Sequence, residues 1–371
     1  MGAPIGIPCT IMRGGTSKCI VIRKRELPED PALRDRMILA IFGSPDIRQI
    51  DGLGGADSLT SKLVLIGEPT RPDADVDYTF GQVSIATPLV DYGGNCGNCS
   101  ASVGPYAIDK GLAPAKEPVT QIRIHQTNTR KLIVAHVPVR EGRVTYAGRY
   151  RIDGVPGTGA EIKLEFLDPG GSLTGRLLPT GQACETLVLD DGRRFTASIV
   201  DAANPVVFLL AEELGVKGTE LPDAVNANAK LLEIGIVRDR REATKKSPGF
   251  PKVAFVSPPQ DYTSISGTPV RKDEIHVTGR IMSMQKLHKA YAITGGIPSA
   301  AAAVIPGSVV NQVCRKPEGE EFFIGHPSGT MKVAAAGHQE QGAFVLDKVV
   351  VGRTARKILD GTVYLPEELS A

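Results

Sequence analysis

The chain has 371 residues, 42% hydrophobic and 23% charged, which allows two globular domains and argues against a large disordered fraction. A formal net charge of +2, no tryptophan and no basic run interleaved with aromatics argue against nucleic-acid binding. No run of about 18 apolar residues is present to cross a membrane, and no basic-then-apolar leader opens the chain, so the expected compartment is a reducing cytoplasm.

In chain order, residues 5–12 and 19–22 read as a hairpin around Arg13-Gly14-Gly15-Thr16. Residues 29–43 read as a helix with Pro31 near its start. Residues 62–66, 83–86, 122–125 and 132–139 read as strands, with a helix over 100–109 after Gly93-Gly94. The second half restarts in the same style, with strands over 196–200, 206–210 and 252–256. A helix is predicted over 281–293 and a second, Ala-rich helix after Gly295-Gly296, stopped by Pro306-Gly307. Strand returns at Ile324, 331–335 and 343–351, and the basic stretch 238–250 reads as an exposed loop. The pattern predicts two similar α+β domains facing each other across a cleft, 1–185 and 186–371, with the last strand a candidate to return to the first.

Six cysteines (Cys9, Cys19, Cys96, Cys99, Cys184 and Cys314) are too sparse for a disulfide framework. The strongest local signal is Gly93-Gly94-Asn95-Cys96-Gly97-Asn98-Cys99-Ser100. A thiol on a tight turn before a helix is easier to deprotonate, because free N–H groups and the helix dipole favour an anion. The same N–H groups can hold a carboxylate. Cys96 and Cys99 also form the C-x-x-C spacing of redox sites and of half a zinc site, though no second ligand pair accompanies them. Buried structural thiols are the bland alternative.

Lys62 opens an apolar strand after the glycine-rich Asp51-Gly52-Leu53-Gly54-Gly55. Burial would disfavour its charged form and make it a base near neutral pH. The competing reading is a lysine that snorkels to water. Arg13-Gly14-Gly15-Thr16-Ser17-Lys18, Thr294-Gly295-Gly296 and His326-Pro327-Ser328-Gly329-Thr330 are weaker candidate anion cradles, and His288 reads more readily as a satisfied core or surface histidine.

Taken in order, a series of segments resembles the PrpF-like branch of the diaminopimelate-epimerase fold, nearly end to end. They are Ile11-Met12-Arg13-Gly14-Gly15-Thr16-Ser17-Lys18, Phe42-Gly43-Ser44-Pro45-Asp46, Gln49-Ile50-Asp51-Gly52-Leu53, Leu59-Thr60-Ser61-Lys62, Gly94-Asn95-Cys96-Gly97-Asn98, Asp153-Gly154-Val155-Pro156-Gly157, Leu287-His288-Lys289, Ile324-Gly325-His326-Pro327-Ser328-Gly329 and Arg353-Thr354-Ala355-Arg356. The resemblance implies two domains, each a β-barrel-like sheet around a central helix, with the active site in the cleft and Lys62 and Cys96 as catalytic pair. Epimerases of this fold use two facing cysteines. Here the second-domain turn reads Ala292-Ile293-Thr294-Gly295-Gly296, so a two-thiol racemase is not expected.

The chemistry that fits is a 1,3-allylic proton shift in a small unsaturated polycarboxylate such as methylitaconate or an aconitate, needing a base, an acid and donors around a carboxylate. Thr16, Ser17, Ser61, Asn95, Gly97, Asn98, His288, Thr294, Gly295, His326, Ser328 and Gly329 are the expected substrate-binding residues. No metal and no cofactor are expected. The only partner expected is the small anionic substrate, and the chain is compatible with a homo-oligomer. An oxalomesaconate-type keto–enol tautomerase would use the same parts, and a C-x-x-C redox or zinc-binding protein is the rival from another class.

Overall fold

The computed structural model of the chain describes residues 5–226, 251–283, 286–340, 343–366 and 369. The stretch expected as a basic loop, 238–250, lies outside them. The chain divides into two compact units. The first comprises Met1–Arg151, Gly157–Leu164 and Arg353–Ala371, and the second Ile152–Pro156 and Glu165–Gly352.

In the first unit, β1 (Gly6–Gly14) and β2 (Ser17–Arg23) form the expected hairpin. Then α1 (Pro31–Phe42) is capped by the Asp30 carboxylate, which accepts from Leu33 N at 2.7 Å, and is closed by Gly43 in the left-handed region at φ 69°. Next come β3 (Lys62–Gly67), parallel to β2, and β4 (Val76–Val83), antiparallel to β3. The short β5 (Val90–Asp91) leads to α2 (Gly97–Asp109). β6 (Val119–Gln126) lies parallel to β4, and β7 (Lys131–Arg140) and β8 (Arg143–Val144) follow, then β9 (Ile162–Leu167), whose residues from Glu165 on belong to the second unit.

Strand β3 is buried on both faces because helices cover both. Leu63 and Leu65 join Ile20, Ile22, Ile38 and Ile41 under α1. Lys62, Val64 and Ile66 alternate to the other face, toward α2, which is packed against the surrounding strands. The small residues Ser100, Ala101, Ser102, Gly104 and Ala107, all buried, let α2 sit inside the curved sheet.

The second unit contains β10 (Glu185–Val188), β11 (Arg194–Ala202), β12 (Asn204–Leu210), α3 (Pro222–Asn226), β13 (Lys252–Ser257), the small ribbon β14 (Tyr262–Thr263) and β15 (Pro269–Val270), and β16 (Val277–Ser283). It continues with β17 (Lys286–Leu287), α4 (Ile293–Val304), α5 (Val309–Val313), β18 (Glu321–His326), β19 (Gly329–Glu340) and β20 (Ala343–Arg353). The last strand, β21 (Ala355–Tyr364), returns to pair antiparallel along the whole of β1.

The pairing sequence repeats. In the first unit β1–β2 is antiparallel, β2–β3 parallel, β3–β4 antiparallel, β4–β6 parallel and β6–β7 antiparallel. In the second, β11–β12, β12–β13, β13–β16, β16–β18 and β18–β19 run through the same senses, with α3 and α4 inserted where α1 and α2 stand. The repeat places Lys252, 8% exposed, at the head of β13 as Lys62, 7% exposed, heads β3. It also places Ala292 at the N-cap of α4 where Cys96 is the N-cap of α2.

Three expectations shift. The described residues of 281–293 do not form the expected helix: Ile281 to Ser283 finish β16, Lys286 and Leu287 form β17, and α4 begins at Ile293. Their i, i+3, i+4 apolar spacing mimics a helix, but pairing of Ile281 to β13 and of Met282 and Ser283 to β17 overrides it. The strand expected over 83–86 ends at Val83 and lies mostly upstream, where Asp77, Thr79 and Gln82 hide its apolar alternation. The division between units falls near residues 151–165 rather than 185, because residues from Glu165 onward pack with the second unit and Arg353–Ala371 with the first.

Candidate active site

Loop 13–17 meets the first turn of α2. A Cβ on Gly14 would strike the Asn98 carbonyl, and one on Gly15, at φ +51°, its carboxamide. Asn98 ties the two together: its Oδ1 accepts from Thr16 N at 3.3 Å and from Arg353 Nε at 3.3 Å, while its Nδ2 donates to Thr16 Oγ1 at 3.0 Å. Arg353 is wholly buried, and desolvation lowers its pKa to about 10. Its contact with Asn98 spans 255 residues and leaves no local signal in the sequence.

Lys62 does not snorkel. It is 7% exposed, its Nζ donates to Gln82 Oε1 at 2.6 Å, and it sits 5.2 Å from the centroid of the Phe80 ring. Ser61 is fully buried and its hydroxyl is engaged internally, donating to Val83 O at 2.9 Å and accepting from Gln49 Nε2 at 2.7 Å. Gln49 also donates to Ser44 Oγ and accepts from Ala56 N, so one buried side chain organises the loop that delivers Lys62.

Cys96 caps α2 from the turn that the sequence predicted, and its carbonyl accepts from Ser100 N at 3.0 Å and from Tyr78 Oη at 3.3 Å. Its thiol pKa is lowered, first by a hydrogen bond from the Cys99 side chain. Burial opposes this, and the Lys62 charge, the Cys99 N–H and the Ser17 hydroxyl assist. Ser17 Oγ is buried and otherwise without a partner. Cys99 goes the other way: burial and its tie to Cys19 and Cys96 push its pKa well up, so it stays a thiol. Cys19 Sγ in turn lies 3.5 Å from Ser102 Oγ. Asn95 and Gly97 are buried beside Cys96, and Asn95 Oδ1 accepts from Ser100 Oγ at 3.4 Å.

Thr16, Ser17, Lys62, Asn95, Cys96, Gly97 and Asn98 therefore lie together in the first unit, while the Ser61 hydroxyl is turned to Gln49 and Val83. The remaining predicted residues lie in the second. His288 is buried and its Nδ1 accepts from Ala290 N at 3.0 Å; His326 Nδ1 accepts from Ser328 N at 3.2 Å. Ser328 Oγ donates to Lys289 O at 2.6 Å, joining those two turns, and Gly329 closes the hairpin at φ +135°. Thr294 and Gly295 occupy the first turn of α4. Among the described residues no group of three His, Cys, Asp or Glu side chains is placed to hold a metal ion.

The family described as PrpF protein matches residues 4–366. The chain belongs to the PrpF family. This PrpF protein is 48% identical to a 3-methylitaconate isomerase of Eubacterium barkeri, over 98% of each chain, and 40% identical to a 2-methyl-aconitate isomerase of Shewanella oneidensis, again over 98% of each. A crystal structure of methylitaconate-delta-isomerase superposes with a TM-score of 0.80 at 47% identity, covering 100% of this chain and 98% of that one. The two-domain α+β fold extends to a probable proline racemase of Agrobacterium radiobacter, at TM-score 0.55 and 12% identity over 97% and 94% of the chains. With such relatives the PrpF chain is an isomerase.

Proposed function

We propose that this isomerase moves a carbon–carbon double bond in a small unsaturated di- or tricarboxylate of the methylitaconate or aconitate class, with Lys62 and Cys96 as its proton-transfer groups. The observation that carries the reading is a thiol biased toward thiolate beside a buried lysine whose charge helps to hold it. One of the two groups removes a proton from the carbon next to the double bond, and charge spreads into a substrate carboxylate. The other protonates the far carbon. Thr16, Ser17, Asn98 and the free N–H groups at the start of α2 are the donors proposed for that carboxylate. No step is routed through a metal or an organic cofactor.

The test is an NMR assay in D₂O against methylitaconate, aconitates, methylaconitate and oxalomesaconate, reading turnover and the carbon that exchanges. Lys62→Met, which keeps the apolar stem, is expected to fold yet lose both isomerisation and exchange. Lys62→Arg is expected to fail too, because a guanidinium cannot give up its proton in a protein. Substantial turnover by Lys62→Arg would refute the lysine's proton-transfer role.

A further inference from the structure

A buried catalytic amine needs an anchor that fixes its position without locking its proton. Opposite Lys62, in register on β4, stands Gln82. Directly paired residues of an antiparallel ladder share a face, so both side chains leave the sheet on the α2 side. Gln82 is 7% exposed, and its carboxamide has a determined orientation. Nε2 donates to Ser61 O at 2.8 Å and to Ser58 O at 3.2 Å, which uses both amide hydrogens. Oε1 is thereby turned to Lys62 Nζ, 2.6 Å away, while the Phe80 ring lies 5.2 Å from the same nitrogen.

We infer that Gln82 is the positioning residue of Lys62: its amide, clamped by two backbone carbonyls, holds the amine by a neutral acceptor and leaves the lysine free to exchange its proton. A carboxylate in that place would pair with the ammonium and hold it charged. The carboxamide gives the ammonium form one oriented dipole and donates nothing to the lone pair of the amine form. Both protonation states therefore keep one geometry, which a proton shuttle requires. The titratable groups facing Lys62 from the packed elements are Cys19 on β2, Tyr78 on β4, Asp91 on β5, and Cys96 and Cys99 on α2. Of these Asp91, in register beside Gln82, carries a carboxylate. Its Oδ1 accepts from Gly93 N at 2.7 Å and its Oδ2 is buried without a partner.

The inference rests on the proposed role of Lys62, so Lys62→Met is run beside the Gln82 variants. The experiment measures kcat and KM against pH, with unfolding midpoints, for Gln82→Met and Gln82→Glu on the best substrate of the panel. Gln82→Met is expected to lower kcat about 10–100-fold with KM within about threefold, the loss typical of removing a group that orients another. Gln82→Glu is expected to move the pH limb governed by Lys62 upward by about one to three units, because the new carboxylate favours the ammonium. If Lys62 is the base, the acidic limb moves; if it is the acid, the alkaline limb moves. A purely structural glutamine would shift the unfolding midpoint and leave both limbs in place, even if Gln82→Met fails to fold. Unmoved limbs in Gln82→Glu together with an inactive Lys62→Met overturn the inference while leaving the lysine's role intact. An active Lys62→Met overturns both.

Discussion

At Cys96 the chain uses a second thiol as a hydrogen-bond donor. The asymmetry is physical: Cys99 lies deeper, so burial keeps its proton on, and that proton is offered to the Cys96 sulfur. An alkylating agent reacts with thiolate, so its rate rises with pH through the thiol pKa and then levels off. Because the Cys96 pKa is lowered from its ordinary value of 9.0, the rise for Cys96 with iodoacetamide should fall well below pH 9. Cys99→Ala removes the largest cause of the shift and should move that rise to higher pH. Cys99→Ser keeps a donor and should stay near the native profile with most of its activity. Coincident profiles for Cys99→Ala and the native protein would sink this account. Cys96→Ala itself should lose about 10²–10⁴-fold in turnover, the usual contribution of a proton-transfer group. Cys96 and Lys62 were visible in the sequence as candidates, one on a glycine-rich turn before a small-residue helix and one at the head of an apolar strand, and the resemblance to the PrpF-like branch singled them out as a pair. Cys99, Gln82, Tyr78 and Arg353 were not, because what they do depends on strand register and on contacts distant in the chain.

The close approach of loop 13–17 to α2 belongs to the scale of elements. Two glycines permit it, and Asn98 then uses both ends of its amide to hold Thr16. Gly15→Ala would force a Cβ into that amide at a backbone angle that alanine disfavours. It should cost about 1–3 kcal/mol of stability, read as a lower urea midpoint. It should also weaken substrate binding by displacing Thr16. An unchanged midpoint would show that the loop can retreat without penalty. Helix α1 was readable to within two residues because Asp30, Pro31 and Gly43 punctuate it. Residues 281–293 misled because a strand, a turn and a helix start there happen to repeat apolar residues at helical spacing.

On the scale of the whole chain, the first unit is completed by residues from the far end. β21 covers β1 through register pairs from Gly6↔Tyr364 to Gly14↔Ala355, and Arg353 just before it contacts Asn98. A chain ending at Thr354 would leave β1 as an unpaired edge. It should therefore lose cooperative unfolding of the first unit and aggregate, as followed by circular dichroism and gel filtration. Native-like unfolding of that shortened chain would show that β21 is dispensable. The repeat also bears on why the proposed proton-transfer pair stands in the first unit. Both units place a buried lysine at the head of the third strand of the repeat, but only the first places a thiol at the following helix N-cap, the second having Ala292.

The two residues proposed for proton transfer stood out through the resemblance to the PrpF-like branch, and by itself the sequence determined the class of fold and the two-part organisation. Those properties follow from local causes: hydrophobic period, capping residues and glycine-rich turns act within a few positions of where they stand. Tertiary structure decided where the units divide, that β21 returns to β1, and that Lys62 is buried against Gln82 rather than reaching water. It also decided which thiol of the C-x-x-C is biased toward the thiolate, since burial and charge at a sulfur are summed over neighbours from β2, β3 and α2. Sums of that kind are written in packing and register, and one-dimensional spacing does not carry them.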